Sequence, residues 1–202
     1  MRSGLSIIRR DWSEYKRAIL VLTAGMFTPF LLAGPSADFS KGFMTGLMIS
    51  AGYGFAQVCF FSERQRRTLD LLLSLPIRPR NLIISKYASL YSMTLFTVNI
   101  PGVFMGDFSA LFLANAASIF VATLSMTPSV LSDKSWAPQL PLWSLLLVIL
   151  PARRVVTRFW PAGVGLYTAM SSHVLVLAAA ALISAPMIAL LAAIAFEKKS
   201  VV

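Results

Sequence analysis

Charged side chains are densest between residues 62 and 86, where Glu63, Arg64, Arg66, Arg67, Asp70, Arg78, Arg80 and Lys86 fall. Neither acid there belongs to a carboxylate cluster, and the chain has one histidine, His173, and one cysteine, Cys59. That inventory leaves no evident zinc site and no paired acid and base. The phosphate-cradling G-x-x-x-x-G-K-[ST] pattern is absent from the sequence, so any ATP hydrolysis must occur on another chain. His173 stands where the last apolar run begins and reads as an interface residue. Asp38 and Asp107 read as loop and turn residues. Asn99 is the notable polar side chain inside an apolar run, and a hydrogen bond to another helix explains it better than substrate contact.

The elements that would position these groups follow from composition. Hydrophobic residues make up 57% of the 202 and charged residues 13%, with a mean hydropathy of +0.74. Soluble domains hold roughly 25% charged residues, so this pattern predicts an all-α integral membrane protein with about six spans of roughly 20 residues. The length leaves no room for a separate soluble catalytic domain. A net charge of +10 could attract nucleic acid, but the basic residues sit at the ends of apolar runs, where they orient a membrane protein and meet anionic headgroups. No nucleic-acid partner is expected. Cys59 lies in an apolar run and has no cysteine to pair with.

Along the chain, Leu5, Ile8, Trp12, Tyr15 and Ile19 recur at helical spacing, while Arg9, Asp11, Ser13, Lys16 and Arg17 fall largely elsewhere around the helix. Residues 3–17 therefore read as an amphipathic helix in the membrane interface, uncleaved and cytoplasmic. Spans are expected at 18–34, bent at Pro29; at 43–61; at 87–105; at 108–131, after a tight turn at Gly106 and Asp107; at 136–150; and at 174–196. In the second span, Gly46 and Ser50 stand four apart and suit close helix packing. The fifth is short and is followed by Arg153, Arg154 and Arg158, so it either crosses a thinned region or is re-entrant.

This layout puts Arg2, Arg9, Arg10, Lys16, Arg17, the six basic residues of 62–86, Lys134, Lys198 and Lys199 on one side. Only Lys41, Arg153, Arg154 and Arg158 fall on the other. By the positive-inside bias both termini and residues 62–86 are cytoplasmic.

The central segment reads as helix, break, helix. Ser62 and Gln65 could form a capping box, Leu69, Leu72 and Leu73 share one helical face, and Pro76 ends that helix. Arg78 precedes a proline and is biased to extended geometry, which leaves Pro79 to open the helix that re-enters the bilayer. A rigid unit joined to the second and third spans would turn a push into a tilt of both.

In order along this run stand Glu63-Arg64, Thr68-Leu69-Asp70, Leu71 to Leu73, Ser74-Leu75-Pro76 and Lys86. This order resembles the cytoplasmic loop of permease subunits of ABC-2 type ATP-binding-cassette transporters. The interfacial helix and six-span plan resemble that family as well. Arg67, where the family usually has glycine, and the arginine-flanked fifth segment depart from its pattern. The resemblance implies one permease domain over residues 1–202, with export as the expected direction, in a bacterial cytoplasmic membrane. It also implies a second permease subunit, identical or not, and a separate ATPase subunit that binds the ATP, so that this chain is not itself an enzyme and holds no cofactor. Glu63, Arg64, Thr68, Leu69, Asp70, Leu72, Leu73 and Pro76 would couple to that ATPase, while Gly46, Ser50 and Asn99 would serve the pathway or helix packing. Competing readings are a passive channel or assembly factor that uses no ATPase, and a lipid-modifying intramembrane enzyme, whose acidic residues are not seen on the spans.

Overall fold

The computed structural model of the chain describes residues 2–28, 31, 38–62, 72, 74, 77–104, 106, 108–132 and 174–200. Among these residues the fold is helical throughout, with α1 (Arg2–Met26), α2 (Asp38–Ala56), α3 (Pro79–Val103), α4 (Phe108–Leu131) and α5 (Val174–Ser200). Residues Gln57–Ser62 extend α2 as a π-helical turn. Two stretches are long and apolar enough to cross a membrane, Leu111–Leu131 of α4 and Ala178–Lys199 of α5. The expected crossing at 87–105 falls in α3, where Ser89, Ser92, Thr94, Thr97 and Asn99 lower the apolarity. The fifth segment, Pro29 and His173 lie outside the described residues.

Helix α3 is the hub, because α1, α2, α4 and α5 all pack on it. Its entry follows the local rules: Arg78 is extended at φ −58° and ψ 132°, and Pro79 opens the helix where its missing N–H costs nothing. At the far end Gly106 adopts φ +67°, a left-handed conformation that glycine takes without strain, and this turns the chain into α4.

The N-terminal region differs from the sequence expectation. Residues 3–17 and the following apolar run form one unbroken helix, with no joint between an interfacial part and a span. Its buried stripe is Ile7, Asp11, Tyr15, Ile19, Thr23 and Met26, while Leu5 is 69% exposed. Steps of four and three keep those six residues on one side, and the sequence reading had placed Asp11 on the other.

Three contacts set the direction of α1. Gly4 lies so near Ser85 that an added Cβ would stand 2.9 Å from its hydroxyl. The Trp12 indole N–H donates to Ser92 Oγ at 2.9 Å, and Phe27 meets Phe104 edge to face at 5.3 Å. Helix α1 thus runs parallel to α3 along nearly its whole length.

Helix α5 presents Ala178, Ala185, Ala189, Ala192 and Ala193 as a buried small-residue stripe, and packs chiefly on α4. Lys199 Nζ donates to the Leu131 carbonyl at 3.4 Å, which sets the C-terminal ends of α4 and α5 side by side.

Close approach of α2 to α4 occurs at Gly52, where a Cβ would collide with the Ser118 backbone carbonyl. Ser118 Oγ donates to the Met48 carbonyl at 2.8 Å in the same contact. The expected packing pair is corrected here. Gly46 has open space where a Cβ would stand, and Ser50 is exposed, with its hydroxyl bonded back to the Gly46 carbonyl at 2.8 Å. At about 100° per residue, Gly52 points away from Gly46 and Ser50.

Candidate functional site

Two seams on α3 and the chain leading into it make up the candidate site. Of the expected coupling residues, Glu63, Arg64, Thr68, Leu69, Asp70, Leu73 and Pro76 lie outside the described residues. Leu72 is described, 8% exposed and part of the main apolar cluster, with Ile77 packed against the same cluster. Its side chain therefore anchors the segment to its own bundle and is not presented to a partner. This settles the choice that shared leucine spacing left open, since amphipathicity alone does not say which body covers the apolar face.

Lys86 also departs from expectation. Read from the sequence as one of six basic charges at a cytoplasmic surface, it is fully buried, and its ammonium donates to Asp11 Oδ1 at 2.9 Å. Asp11 is fully buried too, and Arg10 Nη2 reaches the same oxygen at 2.9 Å from a partly exposed position. Asp11 Oδ2 accepts no hydrogen bond. Burying the pair costs desolvation that its own attraction must offset, so such a pair is poor evidence of stability and better evidence of position. Here it sets the first turns of α3 against the middle of α1.

The other seam is a ladder between α3 and α4. Tyr87 pairs with Thr127 at 2.8 Å, Tyr91 with Thr123 at 2.7 Å, and Asn99 with Asn115 through reciprocal amide bonds of 3.3 and 3.0 Å. The residue numbers fall by four on one helix as they rise by four on the other, the register of antiparallel helices. Thr127 and Thr123 already donate to the carbonyls of Thr123 and Ile119 at 2.8 Å, so both tyrosine hydroxyls act as the donors. The sequence reading singled out Asn99 and missed the rest, although Tyr87, Tyr91 and Asn99 stand at multiples of four, as do Asn115, Thr123 and Thr127. The matching spacing on both sides of the Gly106 turn was the available signal.

Further buried hydroxyls, those of Ser89, Thr94, Thr97 and Ser125, have no hydrogen-bond partner. Hydroxyls in that state favour whatever polar group next reaches them. Among the described residues, no three His, Cys, Asp or Glu side chains come together as a metal site would need.

Comparison of the chain with protein-family models, with curated proteins and with solved structures returned no match.

Proposed function

We propose that this chain is the membrane-spanning permease subunit of an ABC-2 type transporter, working as an exporter with a second permease subunit and a separate ATPase. The ordered residues of 63–86, with their resemblance to the loop of such subunits, are the source of this reading. The observation that carries it is that the segment is built into the bundle at both ends. Leu72 is buried in the core, and Lys86, where the segment becomes α3, is locked to α1 through Asp11. A displacement of the segment cannot be absorbed in a slack loop and must move α3 with α1. In this reading six spans cross a bacterial cytoplasmic membrane, and the lock, the segment and both termini stand on the ATPase side.

The experiment is purification of the tagged chain from its own membranes, followed by measurement of ATP hydrolysis linked to transport. An ATPase subunit should copurify, and the chain alone should hydrolyse no ATP. Leu72→Asp should weaken or uncouple the complex, because it forces a charge into the core. Glu63→Ala should reduce transport more than insertion, and Arg78→Gln should do little. A chain that carries no ATPase, or a Leu72→Asp variant that still couples hydrolysis to transport, overturns the reading. The first of these outcomes is what a passive channel or assembly factor would give.

A further inference from the structure

The two seams together give the height at which each part of α1 stands, and that height conflicts with its charge. Extending the ladder's register sets Leu111–Leu131, one of the two apolar stretches, opposite residues 83–103 of α3. The contacts of Gly4, Trp12 and Phe27 set residues 4–27 of α1 beside residues 85–104 of the same helix. Ser13, Glu14, Lys16 and Arg17 therefore stand near the middle of the apolar height, about 15 Å from either end at 1.5 Å per residue. All four are exposed, as is Arg9 one helical turn before Ser13.

Charged side chains at that depth cannot face hydrocarbon at acceptable cost; they face protein or water. Lipid headgroups lie at the ends of a span and not at its middle, so they do not meet this face. Arg9, Lys16 and Arg17 against Glu14 leave the face positive, and low-dielectric walls on either side would focus its field.

We propose that the Arg9, Ser13, Lys16 and Arg17 face of α1 borders water within the membrane and takes a water-borne anion, a carboxylate or phosphate group of the transported solute. This rests on the transporter reading above and adds to it a class of substrate.

The test uses the whole chain in phosphatidylcholine vesicles, with Cys59→Ala and a single new thiol at Ser13→Cys. Its reaction is followed with an anionic methanethiosulfonate, bearing a sulfonate, and with a cationic one, bearing a trimethylammonium group. Relative to free cysteine, the anionic reagent should be favoured about tenfold, the lower end of electrostatic focusing in a charged cleft. Lys16→Gln with Arg17→Gln should remove most of that preference, and Val21→Cys, an apolar position on the same helix, should react with neither reagent. The measurement is repeated on protein whose α1 is tied to α3 by a Gly4→Cys/Ser85→Cys disulfide, which rules out an α1 lying flat at the surface.

An anionic preference in the tied protein supports the proposal. A silent thiol, a reaction indifferent to charge, or failure of the disulfide to form overturns it. A preference abolished by adding phosphatidylglycerol overturns it too, because a headgroup then occupies the face. None of these readouts involves an ATPase, so a transporter reading that fails by lacking one leaves them unchanged. A chain that does not insert into vesicles overturns both.

Discussion

Helix α3 is held on two sides by different means. Toward α1 the polar contact is one buried ion pair, Lys86 with Asp11, followed by Trp12 against Ser92 and Phe96. Toward α4 it is a series of neutral pairs at four-residue steps, Tyr87 with Thr127, Tyr91 with Thr123 and Asn99 with Asn115. A charge pair has one low-energy partner and fails if displaced. In a repeating ladder, sliding α3 one turn toward either end of α4 still brings one of its tyrosines to a threonine. The first seam fixes α3 in one position relative to α1, and the second lets α3 keep part of its bonding while it moves along α4. The comparison teaches that α1 and α3 move as a pair, with the plane of slip between α3 and α4.

The sharpest way to break this comparison is Asp11→Asn, which removes the charge opposite the buried Lys86 ammonium while keeping the shape. Breaking one side of a buried pair costs roughly 3–5 kcal/mol, so the variant should lose most of its folded yield and melt far earlier in detergent. Replacing both partners, Asp11→Leu with Lys86→Met, should recover most of that loss, since a well-packed apolar pair is often neutral or better. A double variant of parental stability that no longer keeps a Gly4→Cys/Ser85→Cys crosslink would show the ion pair acting as a locator of α3. One that keeps the crosslink would show apolar packing to be enough.

The ladder should respond more gently. Asn99→Ala and Asn115→Ala each leave one amide without its partner, and a double-mutant cycle read by thermal unfolding should give a coupling of about 1 kcal/mol, within the range for bonds between membrane helices. A coupling as large as that of the ion pair would contradict the idea of a compliant seam. Tyr91→Phe removes a single donated bond and should cost roughly 0.6 kcal/mol, with the melting curve otherwise unchanged. At the bottom of the series, Gly46→Ala touches neither seam and meets open space, so its effect should be no more than about 0.5 kcal/mol by the same measurement.

Much of the helical plan was legible in the residues. The expected 108–131 is α4 to the residue, Pro79 opens α3, and Gly106 makes the turn between them. Each of these depends on local chemistry: an uninterrupted apolar run, a fixed φ, a permitted positive φ. The ion pair depends on nothing local. Asp11 and Lys86 are 75 residues apart, and sorting an amphipathic helix by polarity sends a carboxylate to the outside unless its distant partner is already known. Leu72 shows the same limit from the apolar side, since spacing gave the face but not what it rests on. Gly46 and Ser50 show it for small residues, because α2 has several around its circumference and only contact with Ser118 singles out Gly52.

The π-helical turn Gln57–Ser62 sits where α2 hands over to the segment at 63–71. A π turn is an α-helix holding one residue too many, accommodated by widening, so its trace in a lineage is a single-codon insertion. Deleting one residue there, such as Val58, would return the turn to α pitch. It would also rotate everything that follows, relative to α2, by about 100°. Glu63, Arg64 and Asp70 would then leave the bundle on another bearing with no other residue changed, so the length of this turn dials the direction in which the charged segment is aimed.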